Sequence, residues 1–140
     1  MRLWHYELIK YIPNSQLLSQ WRELNSIYKK QDKHILINYI YEYPKDDLYN
    51  YSLIIIGEMN IRGFEIKSFD GFNNYFHDGE SRVYIFHPFK NHHNDRYLIQ
   101  CYYNLQEKYD RGQKDFNKEL YDRLTKFLND KNKCEVKYDK

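Results

Sequence analysis

The chain is poor in the residues that punctuate, cross-link or anchor a protein. Of 140 residues, two are cysteine, three proline and five glycine. Cys101 and Cys134 have no CxxC spacing, which argues against a disulfide framework and a cysteine zinc site. No Pro-, Gly- or Ser-rich stretch interrupts the chain and no repeat recurs, so no domain boundary is placed. Residues 1–140 read as one domain, long enough for one proper core, with a charged tail expected to fray from about residue 130. The longest aliphatic run, Leu53-Ile54-Ile55-Ile56, is far too short to span a membrane, and the N-terminus lacks an apolar secretory core. A cytoplasmic monomer without a membrane partner fits best. Charge of one sign is also missing. The net formal charge is +2, made of +2, −2 and +2 over residues 1–44, 45–100 and 101–140. This is not the broad basic footprint of an obvious nucleic-acid binder, and it leaves room only for a local patch.

Tyrosine is abundant, 16 of 140 residues. Asn, Ile and Lys are abundant with it, so an A/T-rich coding bias and rings that stack on bases are both open readings. Apolar spacing predicts a mainly α fold with an irregular middle segment. Helices are expected near 15–30, 46–62, 95–111 and 115–128. The first is capped by Asn14 or Ser15 and buries Leu17, Trp21, Leu24 and Tyr28. Its opposite stripe is Arg22, Ser26, Lys29 and Lys33. The second is capped by Asp46 or Asp47 and ended by Gly63. The third starts at Asn94 or Asp95, turns Cys101 inward as a small hydrophobe and stops at Gly112. Residues 35–43 are ambiguous and are read as helix ended by Pro44. Residues 64–89 are loop-rich, with one alternating stretch, Arg82 to Phe86, that could form a short strand.

Several patches carry a resemblance. The chain opens Met1-Arg2-Leu3-Trp4, and the first helix carries Trp21-Arg22-Glu23-Leu24. Lys33-His34 follows. The second helix ends in Arg62-Gly63-Phe64-Glu65-Ile66-Lys67, and Leu105-Gln106-Glu107-Lys108 lies further on. In this order the patches resemble the pyrimidine-dimer DNA glycosylase family of the endonuclease V type. They are closer still to a bacterial branch that begins Met-Arg-Leu-Trp and carries Asp-Arg-Tyr-Leu, here Asp95 to Leu98. The resemblance implies a single helical domain of that type. It also implies a DNA repair glycosylase with abasic-site lyase activity, acting on double-stranded DNA with a damaged or abasic site and needing no cofactor. The catalytic residues implied are Met1, through its amine, and Glu23. DNA-binding residues implied are Arg2, Arg22, Lys29, Lys33, His34 and Lys108. Two departures stand out. Arg2 is too bulky for the usual aminopeptidase pocket, so Met1 is retained where the phage enzymes expose threonine. Ser26 stands where the family has a basic residue on the DNA face.

An amine suits such chemistry for a physical reason. An α-amine has a pKa near ~7.7–8.0, against about 10.4 for lysine, so far more of it is free to attack at neutral pH. Two readings compete with the glycosylase. One is a non-catalytic nucleic-acid-binding domain on the same scaffold. The other is a metal-dependent hydrolase using His87, His92, His93 and Asp95, whose spacing matches no recognised metal motif. Lys90, His92, His93 and Arg96 near a helix start could instead meet a phosphate.

Overall fold

A computed structural model describes residues 2–31 and 33–138, with side chains as far as residue 132. Its α-helices are α1 (Asn14–Lys30), α2 (Lys45–Ile61), α3 (Asp70–Phe76), α4 (Asp95–Asp110) and α5 (Lys118–Tyr138). Two 3₁₀ segments, Tyr6–Tyr11 and Asn38–Glu42, join them, and no strand occurs among the described residues.

The ends of α1 show how tertiary contacts replace the expected caps. Pro13 occupies the position before the helix, and neither Asn14 nor Ser15 caps it. The Ser15 amide instead donates to Asp115 Oδ2 at 2.7 Å, a hundred residues away in sequence. At the other end Gln31 is left-handed, φ 50°, and its amide bonds Ile27 O. Likewise Asp46 and Asp47 sit inside the first turn of α2, which begins after Pro44. They accept from loop amides: Asp46 from Val83 at 3.4 Å, Asp47 from Phe89 at 2.8 Å. This explains why Arg82 to Phe86 is not a strand. Its partners are side chains of α2, with Asn50 donating to Val83 O. Gly63 terminates α2 as its sequence implies, at φ 82°, with Phe64 N returning to Met59 O.

The segment 35–43 is not a continuous helix. Residues 35–37 form a turn, and Asn38–Glu42 adopts the tighter 3₁₀ geometry, ending before Pro44. Within the loop-rich middle lies α3, a seven-residue aromatic wedge. Tyr28 of α1 meets Phe72, Tyr75 and Phe76, while Tyr49 of α2 meets Phe72 and Phe76, all at ring separations of 5.2–6.0 Å. Gly71 permits that approach, since a Cβ there would lie 3.1 Å from Asn25 Oδ1. Helix α4 starts as expected, Asn94 Oδ1 accepting from Tyr97 N at 3.0 Å. Helix α5 continues to Tyr138, and Lys131 reaches back to Glu7 at 2.6 Å.

One contiguous core runs from Leu3 to Leu128. Helix α1 packs on α2 and α3, and the 3₁₀ segment Tyr6–Tyr11 packs on α2 and α5. Helices α4 and α5 face each other through Tyr109 and Tyr121, stacked at 4.1 Å. Most tyrosines are therefore structural, and Tyr84 and Tyr103 are left exposed.

Candidate active site

Residues 2–5 run without regular structure across the inner side of α1. Leu3 and Trp4 are buried, which draws the start of the chain into the fold. Its backbone is then held at every residue. Gln20 Nε2 donates to Arg2 O at 2.8 Å, and Gln20 Oε1 accepts from Trp4 N at 3.1 Å. Tyr97 of α4 donates to Leu3 O at 2.6 Å. Tyr51 of α2 donates to Trp4 O at 2.7 Å, with Gln20 Oε1 also within reach at 2.9 Å.

Glu23 lies one turn beyond Gln20 on the same face of α1 and is 6% exposed. The two residues, with Arg2, Trp4, Asn104 and Lys108, line a cleft of about 310 Å³. The Arg2 guanidinium sits 5.8 Å from the Trp4 ring centroid. Burial pushes the Tyr97 hydroxyl and the Cys101 thiol above their ordinary values, and the nearby Arg2 charge pulls both back. The cleft thus has a buried carboxylate, two cations and the neutral carboxamides of Gln20 and Asn104 around one opening.

The other expected site residues divide around α1. Arg22 and Lys29, with Ser26 between them, line a second groove of about 530 Å³ whose floor includes Trp21, Met59 and Ile66. With about 100° between successive residues, Ser19, Ser26, Arg22 and Lys29 follow Glu23 around the helix, so the two serines mark the ridge between the clefts and the two cations flank it on the side of the second groove. Lys33 and His34 are exposed just past the end of α1, and neither groove includes them. Met1 lies outside the described residues.

Gln20, Asn104, Tyr51 and Tyr97 are additions that the sequence reading missed. A signal existed for two of them. Gln20 precedes Glu23 by three residues and Asn104 precedes Lys108 by four, the spacings that share a helix face.

The histidine loop does other work. His93 is buried, its Nδ1 accepting from Tyr6 N at 3.3 Å and its Nε2 paired with Tyr39 Oη at 2.6 Å. His92 pairs with Tyr43 Oη and His87 with Tyr6 Oη. Asp95 lies 3.6 Å from Lys131 rather than among the histidines. No three His, Cys, Asp or Glu side chains gather around a metal-sized space among the described residues, and a buried His93 is not available to a phosphate. Burial lowers His93 well below the ordinary imidazole value and His5 to about 4.

Fold and cleft together define a helical protein that pins the start of its own chain beside a buried carboxylate. A family model described as pyrimidine dimer DNA glycosylase matches residues 1–70, half of the chain, and includes Arg2, Gln20, Arg22 and Glu23. The chain belongs to this family, one of DNA repair glycosylases. No curated protein and no solved structure matches it. No helix of the described residues is long and apolar enough to cross a membrane.

Proposed function

We propose that the protein is a single-domain, monomeric DNA glycosylase and abasic-site lyase in which the Met1 amine is the nucleophile and Glu23 manages protons. The observation that carries this reading is the common cleft of Arg2, Glu23 and Lys108, which includes residues 2 and 4. The substrate is double-stranded DNA holding a damaged pyrimidine or an abasic site. The amine attacks the sugar C1′, a C–N bond forms, and the bond to the base breaks with its electron pair leaving on the base, which takes up a proton. Loss of the amine's proton and opening of the sugar ring leave an imine between protein and C1′. Removal of a C2′ proton then expels the phosphate at C3′, which breaks the strand by β-elimination.

Glu23 fits the proton transfers and the stabilisation of the cationic imine, because a carboxylate in a mostly buried setting acts strongly on nearby charge. Arg2 and Lys108 fit contacts to the phosphates flanking the reacting sugar. Arg22, Lys29, Lys33 and His34 extend the phosphate-binding surface along α1 and past its end.

Borohydride reduction on abasic DNA tests the mechanism. The native terminus is expected to give a covalent protein–DNA adduct, and a protein with one residue added ahead of Met1 is expected to form it only at the slow background rate of any accessible amine. Glu23→Gln should keep DNA affinity and lose strand cleavage by about a hundredfold or more. Equal trapping by native and extended chains, with Glu23→Gln unaffected, would overturn the amine mechanism in favour of a non-catalytic DNA-binding domain.

A further inference from the structure

We infer that Gln20, Tyr51 and Tyr97 are positioning residues that aim the chain's own amine, a role that rests on the amine mechanism proposed above. A chain terminus ordinarily frays. Here the carbonyls of Arg2, Leu3 and Trp4 and the amide of Trp4 are each bonded by a side chain at 2.6–3.1 Å. The donors come from three different helices, α1, α2 and α4, so the segment is fixed against the body of the fold.

The carboxamide of Gln20 behaves as a peptide group would in a neighbouring strand. Its NH₂ meets the carbonyl of residue 2 and its oxygen meets the amide of residue 4. Tyr51, fully buried, closes the arrangement from the far side by touching both Trp4 O and Gln20 Oε1. The Gln20 carboxamide and the Tyr51 phenol, both held inside the core, carry a desolvation cost that only well-formed hydrogen bonds offset. An apolar anchor such as Leu3 or Trp4 would suffice to bury the segment. What the polar clamp adds is a defined direction and register. Register matters because α1 supplies both halves of the device: Gln20 holds the backbone at residue 2, and Glu23 presents its carboxylate one turn further on. Consecutive Cα atoms are about 3.8 Å apart, so a clamp at residue 2 acts within one residue of the amine it would aim. A nucleophile on a flexible end would lose most of its effective concentration, and misplacement by about 1 Å can cost on the order of a hundredfold in rate.

Four single-turnover trapping rates on abasic DNA test the clamp: native chain, Tyr97→Phe, the chain extended by one residue, and the extended chain carrying Tyr97→Phe. The native-against-extended comparison decides the amine mechanism by itself, before any clamp variant is considered. Given that difference, Tyr97→Phe is expected to slow trapping by about tenfold or more while DNA affinity stays within about twofold. In the extended chain, whose amine is already displaced, Tyr97→Phe should cause no further loss, because the two changes act through one group. Gln20→Ala should repeat the pattern with a larger effect. Should Gln20→Ala fail to fold, Tyr97→Phe, which removes a single hydroxyl, still decides. An equal loss in native and extended backgrounds would show that Tyr97 supports the fold alone, and an unchanged native rate would show that the amine needs no aiming. Either result overturns the inference.

Discussion

Arg62 donates from Nε to Glu58 Oε2 at 2.8 Å, one turn back along α2, and this pair aims the rest of the guanidinium at the start of the molecule. Nη1 reaches Ile12 O and Asn14 Oδ1, and Nη2 reaches Lys10 O and Ile9 O, at 2.8–3.3 Å. One side chain thus satisfies the orphan carbonyls of the 3₁₀ segment and ties it to the N-terminal end of α1.

Replacing Arg62 by lysine keeps the charge and loses the fork. Lysine cannot reach both sets of acceptors at once, so Arg62→Lys is expected to lower stability by about 2 kcal/mol, read as an earlier urea midpoint with an unchanged slope.

Gly57 lies inside α2 with no atom within 4 Å of a would-be Cβ. Gly57→Ala is expected to raise stability by about 1 kcal/mol through helix propensity and a less mobile unfolded chain. Gly71→Val should do the opposite, losing about 1–3 kcal/mol, because its Cβ already crowds Asn25 and touches Tyr28 before the branch is added. Thermal unfolding of the two variants side by side checks both signs.

How much of this was legible in the sequence depends on where each partner sits. Helices α1, α2 and α4 follow from apolar spacing, and Gly63 and Gly112 mark helix ends, because those signals are local. Asn14, Ser15, Asp46 and Asp47 look like caps for the same local reason, yet their partners lie in remote loops that no spacing rule reports. Helix α3 escaped because Gly71 reads as a breaker, whereas its lack of a side chain serves packing against α1. The ambiguous segment 35–43 lacks a clean period, and the packed structure resolves it into a turn and a 3₁₀ segment. In the candidate site, Arg2, Glu23 and Lys108 were reached through family patches. Tyr51 and Tyr97 were not, since each looks like one more core tyrosine until its hydroxyl is seen to meet a carbonyl near the chain start.

Acid should loosen the core where His5 and His93 are held neutral. Both have folded values below the ordinary 6.5, His5 near 4, chiefly through burial. Below pH 6.5 the unfolded chain takes up protons that the folded chain refuses. Stability is therefore full above that pH and declines as pH falls towards 4, by up to about 1.4 kcal/mol per pH unit for each histidine. Urea midpoints at pH 7.5, 6 and 5 should fall in that order, and a flat series would show that neither histidine is held neutral by the fold.

Neutralising Lys29 and Lys33 together is expected to weaken DNA binding alike on every sequence. If each holds one phosphate, the logarithmic salt dependence should flatten by roughly 0.9 for each contact removed. Titrations at several salt concentrations measure this. An unchanged slope would make Lys29 and Lys33 solvated side chains that hold no phosphate.

Helix α1 stands as a partition with one of the chain's two tryptophans on each side: Trp4 in the cleft of Glu23, Trp21 in the groove of Arg22 and Lys29. The molecule therefore carries a separate optical reporter for each compartment. With Trp21 changed to Phe, the remaining indole emission belongs to the carboxylate side. With Trp4 changed to Phe, it belongs to the cationic side. Quenching by a bound oligonucleotide then tells which wall of the helix the nucleic acid touches, without a label placed anywhere near residues 2–4.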